Sequence, residues 1–193
     1  MLTEEAIMEH QELLRKAQLL FVDGKDRESI EVYTKALEAG ADPYIIYLSR
    51  GVAHVKTGEV HNAINDFTEA ISANSQSARA YFYRGLAYMM KNEFENAVSD
   101  FTRALAHKSD YAMAIFSRAV SYARLGKYDE ASKDMTVVMP QMEQSLQSFT
   151  DTYGIVRTEM WKVMAQISGE ARMPTLALNE QEMTTLKKWL EEE

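Results

Sequence analysis

The chain has 193 residues, 46% apolar and 26% charged, with 29 Asp and Glu against 21 Lys and Arg for a net charge of −8. That balance argues against binding nucleic acid through its phosphates and weakens docking on an anionic membrane. With no cysteine, a disulfide framework, a thiolate metal site and a cysteine nucleophile are all excluded. The first stretch, MLTEEAIMEHQELLRKAQLL, places Glu4 and Glu5 where a secretory signal carries positive charge, and no run of eighteen apolar residues occurs anywhere. A cytoplasmic chain without membrane insertion is expected.

Along the chain one period dominates. The small residues Ala17, Gly51, Gly85 and Ala119 are spaced 34 apart. The same spacing relates Ser29, Ala63, Ala97 and Ala131, then Tyr33, Phe67, Phe101 and Met135, then Ala36, Ala70, Ala104 and Val138. Each unit has a turn marker, Gly24, Gly58, Asn92 or Gly126. Gly and Asn tolerate the left-handed backbone that closes a helix, so each unit reads as helix A, a short turn and helix B. The small residues let two helices approach, and the aromatic ones fill the space beside them.

Arg50, Arg84 and Arg118 precede the small position by one residue, and Asp66, Asp100 and Asp134 follow them by sixteen. A row of arginines invites a phosphate- or carboxylate-binding role. In the first unit, however, both members change together, to Lys16 and Val32. Pairing within each unit explains that joint change, so a structural ion pair between helices A and B is expected.

The order of residues at Tyr81, Gly85, Tyr88, Ala97, Phe101 and Ala104 resembles the tetratricopeptide repeat. On that resemblance the chain is an all-α, right-handed superhelical solenoid. Units at 10–43, 44–77, 78–111 and 112–145 form a region spanning 1–145, and a C-terminal capping segment occupies 146–193. Unit 10–43 departs from the pattern at Leu20 and Ser29. The second helix of the fourth unit runs into Pro140. The proline that usually closes a unit is replaced by Ala41, Ser75 and Ser109.

The resemblance implies that the A helices line an inner surface where a ligand lies. Its inner positions give a peptide-binding groove of Leu14, Gln18, Leu48, Val52, Lys56, Arg79, Phe82, Leu86, Met89, Met113, Phe116 and Val120. One column is Leu14, Leu48, Phe82 and Phe116, and Arg15, Lys56, Arg79 and Arg124 stand near the edges. One subclass of the family holds an acidic chaperone C-terminus in a clamp of Lys, Asn and Arg. The clamp positions here hold Leu14, Gln18, Ser49, Arg79 and Tyr83, or Leu48, Val52, Tyr83, Met113 and Ser117 one unit later. Only Arg79 is of the right type, so the clamp is not expected. An apolar groove suits the nonpolar face of a partner helix or an extended peptide. Ten of the 12 Met residues lie at or after Met89, where they either adapt to varied partners or fill core gaps.

Beyond Pro140, Met142, Leu146, Phe149, Tyr153, Val156, Met160, Val163 and Ile167 form a heptad seam. It caps the last repeat or pairs with a second chain. A further short helix carries Leu186, Trp189 and Leu190 and is expected to fold back on the array. The four histidines, His10, His54, His61 and His107, share no convincing ligand spacing with carboxylates. No phosphate-cradling glycine loop or nucleophile elbow occurs. The expectation is a non-catalytic interaction module (adaptor, scaffold or chaperone-like) that needs no cofactor and no metal and binds a protein or peptide. Its alternative is a structural protein that forms a homo-oligomer through the C-terminal seam or the open repeat edge.

Overall fold

A computed structural model describes the chain from residue 4 to residue 146, with side chains from 8 to 139. Over that range there are eight helices and no strand. They are α1 Glu4–Val22, α2 Asp26–Glu38, α3 Pro43–Lys56, α4 Val60–Ala73, α5 Ala78–Met90, α6 Phe94–His107, α7 Ala112–Arg124 and α8 Tyr128–Leu146. Odd-numbered helices are the A helices of the four units, and even-numbered ones the B helices. None of the described helices is long and apolar enough to cross a membrane. The heptad seam beyond Leu146 and the short helix around Trp189 lie outside the described residues.

Two compact units divide the chain at 117/118, inside α7. In the first, each helix packs on the next from α1 to α6, and α3 also touches α5. In the second, Ala123 and Ala131 pack together with Val120 and Tyr122 around them. There α8 does not end at Pro140: its backbone stays helical to Leu146. A proline removes one N–H and crowds one carbonyl, which strains a helix without having to end it.

The turn from helix A to helix B has the same construction four times. Its marker residue takes positive φ, at Gly24 (75°), Gly58 (79°), Asn92 (59°) and Gly126 (71°). In the second unit the Glu59 amide donates to the His54 carbonyl at 2.8 Å and the Gly58 amide to that of Val55 at 3.1 Å. In the third the Glu93 and Asn92 amides do the same to Tyr88 and Met89, both at 2.9 Å. These paired bonds satisfy the carbonyls that a helix end leaves free. At the B-to-A connections side chains cap the helix that follows. Asp42 accepts from the Tyr44 and Ile45 amides with Pro43 in the first turn, and Ser77 accepts from the Ala80 amide. The Tyr44 and Ser77 hydroxyls also share a hydrogen bond of 2.8 Å.

The core follows the small and aromatic columns. Phe67 and Phe101 are fully buried, each on a helix B against the glycine of its own helix A. A Cβ on Gly51 would lie 2.6 Å from Phe67 Cε1, and one on Gly85 would lie 2.7 Å from Phe101 Cε1. Where the helix-B residue is Tyr33 or Met135, the helix-A residue is instead Ala17 or Ala119. The two columns are therefore coupled by volume.

Candidate functional site

The charged residues that invite a binding role resolve first. Asp66 receives Arg50 through Nε at 2.8 Å and Nη2 at 2.7 Å. Asp100 receives Arg84 at 2.7 and 2.8 Å, and Asp134 receives Arg118 twice at 2.7 Å. All three pairs are within one unit, as the joint change at Lys16 and Val32 implies. Hydrogen bonding to the aspartate holds each guanidinium above its ordinary pKa, against an opposing effect of burial. The spacing does not reveal a third partner. Arg50 Nη1 donates to Thr34 Oγ1 at 2.9 Å, and Arg84 Nη1 to Thr68 Oγ1 at 3.1 Å. Those threonines belong to the preceding units, so each guanidinium joins its own two helices to the helix B before them.

His54 is buried at the end of α3. Its Nδ1 lies 2.8 Å from Glu59 Oε2, and its Nε2 lies 3.7 Å from Asp66 Oδ2. The turn at Gly58 thus brings His54 to Glu59 while His61 stays exposed. Among the described residues no three His, Asp or Glu side chains converge as metal ligands.

Along the A helices of the first compact unit, the expected column Leu14, Leu48, Phe82 and Phe116 is largely buried. Leu48, Phe82 and Phe116 are only 7%, 6% and 7% exposed, and Leu14 is half-buried. Leu48 packs with Ile64, Phe67 and Ala80, and Phe82 packs with Phe101 and Ala114. Rotation along a helix brings a column towards a face. Only the neighbouring repeat decides how much of it remains uncovered, and at Phe82 the rings of Tyr83 and Tyr111 lie against it.

Other expected groove residues are less buried. Ile45 is 38% and Met113 46% exposed, while Val52, Leu86 and Met89 are half-buried. Ile45 opens α3 and Met113 opens α7, so these residues are spread over three A helices. Gln18 and Arg79 are exposed. Lys56 is already engaged: its ammonium lies 2.7 Å from Asp26 Oδ1 and 4.2 Å from the Phe21 ring centre. Val120 belongs to the second compact unit, beside Ala123.

Two tyrosine contacts are not marked by the repeat columns. Tyr83 stacks on Phe67 at 5.8 Å between ring centres, and Tyr111 lies 4.8 Å from Phe82. Burial pushes the Tyr111 phenol up, the Tyr83 phenol adds to this, and the nearby Arg79 charge opposes it. Tyr111 closes its unit where Pro43 and Ser77 close theirs, so no repeat column marks it.

The sequence model of the tetratricopeptide repeat matches residues 48–108 and 91–133. No curated protein matches the chain. Among solved structures, a tetratricopeptide repeat protein from Parabacteroides merdae superposes with a TM-score of 0.69 at 20% identity, covering 94% of this chain and 64% of that one. MamA from Desulfovibrio magneticus RS-1 gives 0.64 at 19% identity, covering 74% and 78%. The first repeat domain of Spaghetti (RPAP3), solved with the HSP90 peptide SRMEEVD, gives 0.59 at 25% identity, covering 61% and 93%.

Proposed function

Because the chain belongs to the tetratricopeptide repeat family, we propose that it is a non-catalytic protein-interaction module whose first unit receives a peptide or partner helix across its A helices. The observation that carries this reading is the group of less-buried apolar residues Ile45, Val52, Leu86, Met89 and Met113 on the A helices that also hold the buried Leu48, Phe82 and Phe116. A ligand with aliphatic anchors gains the burial of these side chains, at about 25 cal/mol per Å² removed from water. Because Leu48, Phe82 and Phe116 are already buried, little ordering cost is added on binding. Spaghetti was solved with its peptide on the same fold, which supports this use of the architecture. This chain carries Leu14, Gln18, Ser49 and Tyr83 at four of the five clamp positions, so its ligand is held mainly by apolar contact.

The test substitutes the less-buried residues and leaves the buried column alone. Ile45→Asp with Leu86→Glu should keep the helical circular dichroism and release the partners that the wild-type chain captures, counted by quantitative mass spectrometry. Partners retained at wild-type levels by the folded variant would show that this face is not the site. Phe82 and Phe116 make poor probes, because polar side chains there would break the core.

A further inference from the structure

Helix α1 presents a second interaction surface. In the later units two columns of helix A are covered by the helix B that precedes them. Ile46 packs with Val32, Tyr33 and Ala36 of α2, Ala80 and Ala87 with Ile64 and Phe67 of α4, and Ala114 with Phe101 and Ala104 of α6. Ile46, Ala80, Ala87 and Ala114 are all fully buried. In α1 the same columns hold Glu12 and Leu19. A helix B stacked there would bury a carboxylate and meet leucine where the other units offer alanine. This face therefore does not suit one more repeat.

At 3.6 residues per turn, Met8, Glu12, Arg15, Leu19 and Val22 fall within about 40° of one line along α1. Their spacing alternates by four and three, which is a heptad seam. All five are exposed, with Met8 at 69%, Leu19 at 54% and Val22 at 81%. The seam carries three apolar side chains, one anion and one cation. Among the described residues neither Glu12 nor Arg15 has an ion-pair partner.

We propose that this seam pairs with the α1 of a second copy of the chain, antiparallel about a two-fold axis. One register sets Glu12 opposite the partner's Arg15, and the two-fold makes that pair twice. The same register sets Met8 opposite the partner's Leu19, also twice, with the alternate seam positions facing each other as antiparallel helices require. A parallel pair in register would instead put Glu12 on Glu12 and Arg15 on Arg15, so charge selects the antiparallel arrangement. Met8 to Val22 span about 21 Å of helix. One helix pair of that length buries less than the roughly 1,200 Å² of a small standard interface, so the dimer is weak and reversible.

Sedimentation velocity of the full chain, from micromolar to millimolar concentration, tests this pairing. A monomer–dimer equilibrium is expected. Arg15→Glu and Glu12→Arg should each weaken it about tenfold, because each gathers four like charges at the centre. Mixing the two variants should restore association as a heterodimer, and the variant with both substitutions should again form a homodimer. Leu19→Asp should also weaken the dimer. All these positions are exposed, so helical circular dichroism should not change. A chain that stays monomeric throughout, or two charge variants that fail to associate when mixed, would overturn the proposal. So would a dimer indifferent to these substitutions, which would put self-association on another surface such as the heptad segment beyond Pro140. Hydrogen exchange in α1 should slow as the chain is concentrated. Strong protection of α1 in dilute solution would mean that it is covered within one chain and that a second copy is not its occupant. None of these readouts involves the partners counted in the groove test, so the two proposals fail separately.

Discussion

At the scale of single residues, two kinds of glycine do different work. Gly51 is small because Phe67 fills the place of its Cβ, with ordinary helical backbone. Gly58 has open space around its missing Cβ and is required by its φ of 79°. Gly51→Ala is expected to destabilise by about 1–3 kcal/mol through overpacking, beyond the helix propensity that alanine adds. Joining it to Phe67→Met, which copies the Ala119 and Met135 pair of the fourth unit, should recover much of that loss. A double variant no more stable than Gly51→Ala in urea would refute the volume coupling. The Arg84 site gives a second prediction. Asp100→Ala leaves a mostly buried guanidinium without its carboxylate and should cost about 3 kcal/mol. Thr68→Val removes one bond from the same group and should cost about 1 kcal/mol. Urea midpoints of the two variants should fall in that order.

At the scale of elements, the turn joining α3 to α4 carries a pH dependence. Glu59 is held below the usual carboxylate range, chiefly by the Asn62 amide, with the His54 ring adding a hydrogen bond and charge. A carboxyl whose folded pKa is depressed stabilises the fold above its unfolded value, and that contribution disappears as pH falls through the folded one. Glu59→Gln should therefore be less stable than the wild type at pH 7. The gap in urea midpoint should close as the pH drops below about 4. A gap that stayed constant from neutral to acid pH would mean that the charge of Glu59 contributes nothing to the turn. The four turns also explain a choice of residue. Asn92 takes the left-handed conformation that glycine holds in the other three turns, since among side-chain-bearing residues asparagine tolerates it best.

At the scale of the whole molecule, each unit is stabilised by its neighbours, so protection should vary along the array. Leu19 occupies the place of Ala53 and Ala87, which are fully buried, yet it is exposed in α1 along with Met8 and Val22. Amide hydrogen exchange should be fastest in α1 and slowest in α3 to α6. Equal protection across all six helices would contradict a stability built from neighbour contacts.

The sequence by itself determined the period of 34, the helix and turn order, the glycine and aromatic columns and the pairing of Arg50 with Asp66. Each is a local or strictly repeated property, and repetition displays the same constraint several times along one chain. Tertiary structure alone decided that Leu48, Phe82 and Phe116 are buried while Ile45 and Met113 are exposed. It also decided that Lys56 is taken up by Asp26, and that Tyr111 comes to lie against Phe82. Exposure is what neighbouring helices leave uncovered, and a helical projection contains no neighbours. The threonine partners of the arginines stayed hidden for a related reason: they belong to the preceding unit, and only stacking brings them within reach of the guanidinium.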